Sequence, residues 1–572
     1  MRLRRFFQEL RRRHVWRVAA TYLVVAFLVL QVGDLMFPTL RAPEWAVPLL
    51  LGFLIVGFPV ALVLAWAFEI SPGGVRRTAT EEEAEIDAAP PAVGSLRKLP
   101  DHDDRPSVAV LPFDNYSPDP DNAFFADGLT EEIIADLSAV HGLRVISRSS
   151  VSCFRGKELG LPAIAAELGV RYVLEGSVRR AGDSLRVTGQ LIDAETDSHL
   201  WAEKYDGTLE DVFGIQESIS RQIVGALRVT LTESEEWQVS ERPIDDVVAH
   251  DYYLRARQEV LAWTAESQDR ALQLVDEALR IVGQNALLLS TKGLILWTSV
   301  QVMIRPRARY LDQAAELAER ALALDPNHFL AVFLRGVVNG LEGHTESALA
   351  DLHRAHQLRP GDSMGLLELC RFSNSAGARG HLPYVEEAVR LDPLTKVPWL
   401  VPMYYHLLIA DPVDALDACR AMLELGGPSS PAEIYAAWAM AHADSRAEAI
   451  ELLERVRSDL AGTVIGSWAG FLKHGLAGER ERALAEMTPE LHDAAQIEFP
   501  AWTLADGYAL VGCNGDALHW LEAAIRHGFI NYPFLSERDP FLEGVRGDPR
   551  FRRLMAELEP RWAALAGETR DE

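Results

Sequence analysis

The 572-residue sequence predicts a multidomain chain: a two-helix transmembrane hairpin, a mixed α/β domain and a C-terminal all-α solenoid. Three observations carry that prediction. Two long apolar runs lie near the N-terminus. Short strand-like and helix-like patterns alternate over residues 106–232. Beyond residue 300, small residues recur every 34 positions. A chain this long exceeds one compact core, and 48 % apolar with 24 % charged residues is ordinary for globular protein.

Net charge is −27, unevenly spread. Residues 1–80 hold ten Arg against Glu9, Asp34, Glu44 and Glu69, so the remainder is strongly acidic. That body repels phosphate backbones, which argues against nucleic acid as a partner. Only six Lys accompany the arginines, a bias typical of GC-rich bacterial genomes. Cys153, Cys370, Cys419 and Cys513 show no paired spacing, so neither a disulfide framework nor a zinc site is expected.

Residues 1–17 form a basic, cytoplasmic N-terminus. The hairpin spans 18–68. Its first span, 18–37, is apolar apart from Thr21, Gln31 and Asp34, and its second, 46–68, is uncharged until Glu69. At 1.5 Å per residue the second run reaches about 34 Å, enough to cross a hydrocarbon core. Trp16, Trp45 and Trp66 stand near the ends, where aromatic belts form. Seven Arg precede the first span and only Arg41 lies between the two, so both termini and the main body are expected on the cytoplasmic side of a bacterial inner membrane. Lipid contact is assigned to residues 18–68. The Pro-, Gly- and charge-rich stretch 71–105 reads as a flexible linker.

The acid-rich "VLPFDNYSPDPDNAFFADGLTEEI" (110–133) invites a metal-site reading. Asp119 and Asp121 begin an EF-hand alternation, but Ala123 and Phe124 end it. Instead "SVAVLPF" (107–113) predicts a buried strand, and "DGLTEEIIADLSAV" predicts a helix capped by Asp127 or Thr130 with Glu131 and Glu132 in its first turn. Downstream, 143–148 reads as a strand and 161–169 as a helix opened by Pro162 and closed by Gly169. Residues 170–180, 183–195 and 199–207 read as strands, the first two joined at Ala181–Gly182. A long amphipathic helix follows over 208–231.

"SVAVLPFDNYSPDPDNAFFADGLTEEI", "GLRVISRSS", "LGVRYVLEGSVRRAGDSLRVTGQLIDAETDSHLWAEKYDG" and "VFGIQESIS" together resemble the TolB amino-terminal-like domain, related to that of the curli-secretion lipoprotein, over residues 106–232. The N-terminal hairpin resembles the membrane segment that precedes this domain in many bacterial multidomain proteins. The resemblance implies a non-catalytic α/β domain with a ligand or partner of unknown identity. It also implies fusion to tetratricopeptide repeats or, in other members, to adenylate cyclase or winged-helix modules. Cyclase chemistry would need a domain bearing two metal-binding carboxylates, and 71–105 is too short to hold one.

Residues 245–557 supply the repeat. "DQAAELAERALALDP", "ESALADLHRAHQLRP" and "LPYVEEAVRLDP" end on Pro326, Pro360 and Pro393, and Ala314, Ala348, Ala415, Ala449, Ala483 and Ala517 stay in phase, with His381 in the skipped slot. Ala271 and Ala278 mark an earlier copy. This pattern resembles the tetratricopeptide repeat, two antiparallel helices per 34 residues, in about eight copies. Small residues are needed where the paired helices approach, and Pro ends the second helix. "LADGY" (504–508) matches the first-helix signature in part. "FLSERDPFLEGVRGDPRFRRLMAEL" provides a C-terminal cap, and 558–572 reads as a tail. Stacked repeats leave a concave face for a peptide or protein. Leu330, Phe333, Val337, Phe499, Trp502 and Asp506 are the candidate groove residues, with packing between repeats as the competing role for the apolar ones.

No GxxxxGK[ST], HExxH, GxSxG or GxGxxG occurs, and His250, His328, His344 and His492 have no ligand-spaced neighbour. No catalytic, metal or cofactor residue is assigned, and no enzyme is expected. The leading expectation is a membrane-tethered, non-catalytic scaffold whose solenoid binds protein. The alternative is a sensor of a nucleotide or metabolite, with the repeats as relay.

Overall fold

The computed structural model describes residues 68–71, 74–77 and 103–568, apart from short breaks at 118–121, 158, 234, 237–242, 261, 263, 302, 304 and 306. Both expected spans lie outside the described residues, except that Phe68 opens a strand. Among the described residues no helix is long and apolar enough to cross a membrane. Strands β1 (Phe68–Ser71) and β2 (Gly74–Arg77) form an antiparallel hairpin, in register from Phe68↔Arg77 to Ser71↔Gly74. Gly74–Arg77, read from the sequence as linker, is therefore paired strand; backbone pairing with Phe68–Ser71 overrides a composition that lacks apolar periodicity.

The α/β domain is built on a mixed sheet. Strand β3 (Ser107–Val110) lies parallel to β5 (Arg144–Val145) and to β6 (Tyr172–Ala181), and β4 (Asp114–Asn115) continues beside β6. Strands β7 (Ser184–Asp193) and β8 (Ser198–Thr208) extend β6 as an antiparallel meander, giving the order β5-β3-β6-β7-β8. All four residues of β3 are buried, as expected for a central parallel strand covered on both faces. Pairing of Ala181 with Ser184 places the β6–β7 turn at Gly182–Asp183, one residue beyond the expected position, with Gly182 at φ 60°.

Helix α1 runs over Ala123–Ser138, four residues earlier than predicted. Asp127 is thus inside the helix and buried, paired with Arg155, and is not the cap. Thr130 is also internal, its hydroxyl donating to Ala126 O and accepting from Phe113 N–H. Helix α2 (Arg148–Ser152) and helix α3 (Leu161–Leu168) follow, the latter with Pro162 in its first turn and Gly169 left-handed at its end. Helix α4 (Val212–Ala226) packs Ile215, Ile219 and Ile223 against the sheet.

The rest is α-helical. Eight helix pairs are visible among the described residues: Val247–Val260 with Ala265–Val282, Ala286–Gln301 with Arg307–Leu324, Phe329–Leu341 with Thr345–Leu358, and Ser363–Ala376 with Leu382–Leu391. Lys396–Leu408 with Ala415–Glu424, Pro431–His442 with Arg446–Asp459, Val464–Leu476 with Arg480–Glu486, and Glu498–Leu510 with Asn514–Arg526 complete the series. The phased alanines Ala271, Ala314, Ala348, Ala415, Ala449, Ala483 and Ala517 are all buried, as close helix approach requires. Pro326, Pro360 and Pro393 each follow a helix end.

The α/β domain and the repeats share hydrogen bonds. Gly361 N–H donates to Ser138 O at 2.9 Å, Ser147 N–H to Leu391 O at 2.8 Å, and Arg105 pairs with Glu387 at 2.6 Å. Ser150 Oγ donates to buried Asp392 at 2.5 Å and accepts from Leu394 N–H at 2.9 Å. At the other end the C-terminal segment returns to the middle repeats. Ile530 N–H donates to Ser375 O at 2.9 Å, and Asn531 and Arg538 donate to Leu408 O. A Cβ on Gly343 would stand 2.1 Å from Arg526 O, so only glycine permits this approach.

Candidate functional site at the junction

Where helix α1 meets the first repeats, the chain encloses a cavity of about 410 Å³. Its wall draws on α1, on the start of α2, on helix Val247–Val260 and on the turns before Phe329 and Ser363. The apolar side is made by Phe213, Leu254, Leu287, Leu294 and Ile295, and the polar side by arginines, carboxylates and two histidines. That volume suits a small organic ligand, and a mostly apolar wall with a few convergent polar groups is the usual composition of such sites.

Glu131 receives both Arg148 and Arg257, and Arg257 also donates to Tyr253 Oη at 3.4 Å. Burial lowers Arg257 to about 10 and raises the Tyr253 phenol. One carboxylate shared by two guanidiniums leaves positive charge in the wall. Glu132 meets His250 Nε2 at 2.7 Å. Asp136 accepts from Gln216 Nε2 at 3.0 Å and Ser220 Oγ at 3.1 Å, yet burial raises it to about 7. Asp362 caps its helix by accepting from Gly365 N–H at 2.7 Å, and burial raises its carboxyl as well.

Arg359 completes the polar side. Its guanidinium lies 4.7 Å from the Phe329 ring centroid, and among the described residues no carboxylate lies within ion-pair distance of it. Burial first, and then the nearby Arg359 charge, lower His328 to about 4, which keeps that imidazole neutral. Thr291 borders the cavity with a buried hydroxyl that has no hydrogen-bond partner. The arrangement can take a ligand that offers an anionic or acceptor group to Arg359, a further polar atom to Thr291, and an apolar face to the leucines.

Five residues discussed from the sequence meet here although they are far apart in the chain: Glu131, Glu132, His250, His328 and Leu330. The two histidines lacked any ligand-spaced neighbour because their partners come from other elements. Arg359 and Thr291 were missed, and no local pattern marks either one.

The six candidate groove residues do not form an open groove. Leu330, Phe333, Val337, Phe499, Trp502 and Asp506 are all less than 9 % exposed. Leu330 borders the junction cavity; Phe333 packs edge-on against Trp297 at 5.6 Å; Phe499 stacks on Tyr404 at 4.3 Å. Trp502 stacks on Phe529 at 5.1 Å, so the returning C-terminal segment occupies the space a partner would need. Packing between repeats therefore claims the apolar members. Asp506 sits instead in a polar cluster with His442 and Asp539, the one group of potential metal ligands among the described residues.

Residues 104–222 match the family described as HilA/YgeH-like transcriptional regulator, second domain. That stretch overlaps residues 106–232, for which the sequence suggests a TolB amino-terminal-like domain, and the matching family carries a different description. A curated relative, the putative adenylate cyclase 3 of Rhizobium meliloti, is 45 % identical over 222 residues, which is 39 % of this chain and 38 % of the relative. The chain thus matches little more than a third of that relative's length. A solved tetratricopeptide repeat protein from Parabacteroides merdae covers 53 % of this chain and 98 % of its own, at 13 % identity and a TM-score of 0.23. At that score the superposition adds nothing to the helix pairing described above.

Proposed function

We propose that this chain is a non-catalytic interaction scaffold, tethered to a bacterial inner membrane by residues 18–68, whose repeats receive protein partners on their outward surfaces. The observation that carries this reading is the series of eight phased helix pairs locked onto the α/β domain. The test is proximity labelling in cells from a fusion after Glu572, against the same fusion lacking residues 245–572. Partners enriched only by the intact chain are expected. Equal labelling by both would remove the scaffold role, and a C-terminal reporter active only in the periplasm would remove the cytoplasmic placement.

The junction cavity favours a second reading, that of a small-molecule sensor. A ligand bound between the α/β domain and the repeats would bias how the two pack, which is how a bound metabolite could be relayed. Thermal shift of the intact chain against a panel of nucleotides and organic acids separates the two readings. A sensor shows a shift that Arg359→Gln abolishes, whereas a pure scaffold shows none.

A further inference from the structure

Three acceptors converge, fully enclosed, in the C-terminal repeats. His442 ends helix Pro431–His442, Asp506 lies within helix Glu498–Leu510, and Asp539 caps the 3₁₀ turn Pro540–Val545. Asp506 and Asp539 are 0 % exposed and the His442 side chain 2 %. His442 Nδ1 stands 2.9 Å from Trp438 O; a carbonyl only accepts, so Nδ1 carries the proton. In the neutral ring Nε2 therefore presents a lone pair to Asp539 Oδ1 at 3.5 Å and to Asp506 Oδ2 at 3.8 Å.

Those separations are too long for good hydrogen bonds, which run to about 3.2 Å. Two ligand atoms about 2.1 Å from one tetrahedral ion stand about 3.4 Å apart. His442 Nε2 and Asp506 Oδ1 are buried with no hydrogen-bond partner. Each of the other three carboxylate oxygens accepts one donor and keeps a second lone pair. Trp438 Nε1–H donates to Asp506 Oδ2 at 3.0 Å, Trp502 Nε1–H to Asp539 Oδ2 at 2.8 Å, and Phe541 N–H to Asp539 Oδ1 at 3.0 Å. Hydrogen-bonding partners of this kind orient ligand carboxylates in metal centres. Aromatic rings enclose the group, with Phe541 4.4 Å and Trp502 5.5 Å from the imidazole. Burial, and then the facing Asp539, raise the Asp506 carboxyl well above the usual carboxylate range, so the enclosed pair is relieved either by a proton or by a bound cation.

We propose that His442, Asp506 and Asp539 bind one divalent first-row transition ion, of the zinc or manganese class, as a structural centre tying two non-adjacent repeats and the returning segment together. One imidazole nitrogen and two carboxylate oxygens suit such ions, and the 2+ charge neutralises the pair. The imidazole comes from one helix, and the carboxylates from the next repeat but one and from the returning segment.

The experiment uses the full chain, stripped with chelator and dialysed against zinc, manganese or cobalt chloride. About one zinc or manganese per chain should be retained, and cobalt should give visible absorption of a protein-bound site. Asp506→Asn keeps the shape and the Trp438 contact, and should reduce retention at least tenfold; His519→Gln, outside the cluster, should not change it. Cobalt spectra of the unmodified chain decide the matter even if Asp506→Asn misfolds. Retention below a tenth of an equivalent of every ion, with no cobalt band, overturns the proposal and leaves the triad held by protons. So does retention that Asp506→Asn and His442→Gln both leave intact.

Discussion

Asp136 carries the clearest pH signature of a single side chain. Burial raises its carboxyl to about 7 from 3.8, so the folded chain holds a proton that the unfolded chain has lost. The favourable state is complete below the unfolded value and is lost as pH rises towards the folded one, so this group weakens the fold between about pH 4 and 7. Asp136→Asn preserves an oxygen for Gln216 and Ser220 while removing the charge. At pH 8 it should stabilise the protein by about 1–3 kcal/mol, less than the full shift implies because the carboxylate faces the cavity, with little effect at pH 4.5. Urea unfolding at both pH values checks this. Ser150 is a second decisive residue: Ser150→Ala leaves Asp392 and Leu394 N–H each short of a partner, and should cost about 2–3 kcal/mol.

Among elements, local grammar was most readable where one residue decides a backbone angle. Gly169 ends helix α3 at φ 65°, and an added Cβ there would meet nothing within 4 Å, so Gly169→Ala isolates the conformational cost, about 1 kcal/mol by thermal melting. Gly507, inside "LADGY", is a different case: an added Cβ would meet the Phe471 ring at 2.4 Å, and Gly507→Ala should cost about 1–3 kcal/mol by overpacking. Alternation also made β6, β7 and β8 legible, whereas the start of α1 was misjudged because Asp127 resembles a cap but pairs with Arg155. The junction cavity was invisible for a physical reason. Its groups come from elements more than a hundred residues apart, as Glu132 and His250 show, and only chain topology brings them together. Asp506 and Asp539 are nearly one repeat apart, so the phase that located the alanines also contained that pair; His442 fell outside it.

The described body from Asp103 to Glu568 should behave as one cooperative unit, because the α/β domain and the repeats exchange buried hydrogen bonds at Ser138, Ser147 and Ser150. Calorimetry of the intact chain should show one main transition, and residues 245–572 made alone should melt at a lower temperature. Two independent transitions at the temperatures of the separate pieces would contradict this. A second interlocking explains why Phe499 and Trp502, proposed as groove residues, are core: their counterparts are Phe529 and Phe534, supplied by the returning C-terminal segment.

The backward reach of residues 526–541 also has a temporal meaning. The helices around Leu341, Ser375 and Leu408 leave the ribosome well before the strand of sequence that seals them. During synthesis those middle repeats must wait, partly uncovered, until residues 526–541 are translated. A premature stop just before residue 526 should therefore yield a chain prone to aggregation and degradation, however complete its earlier repeats.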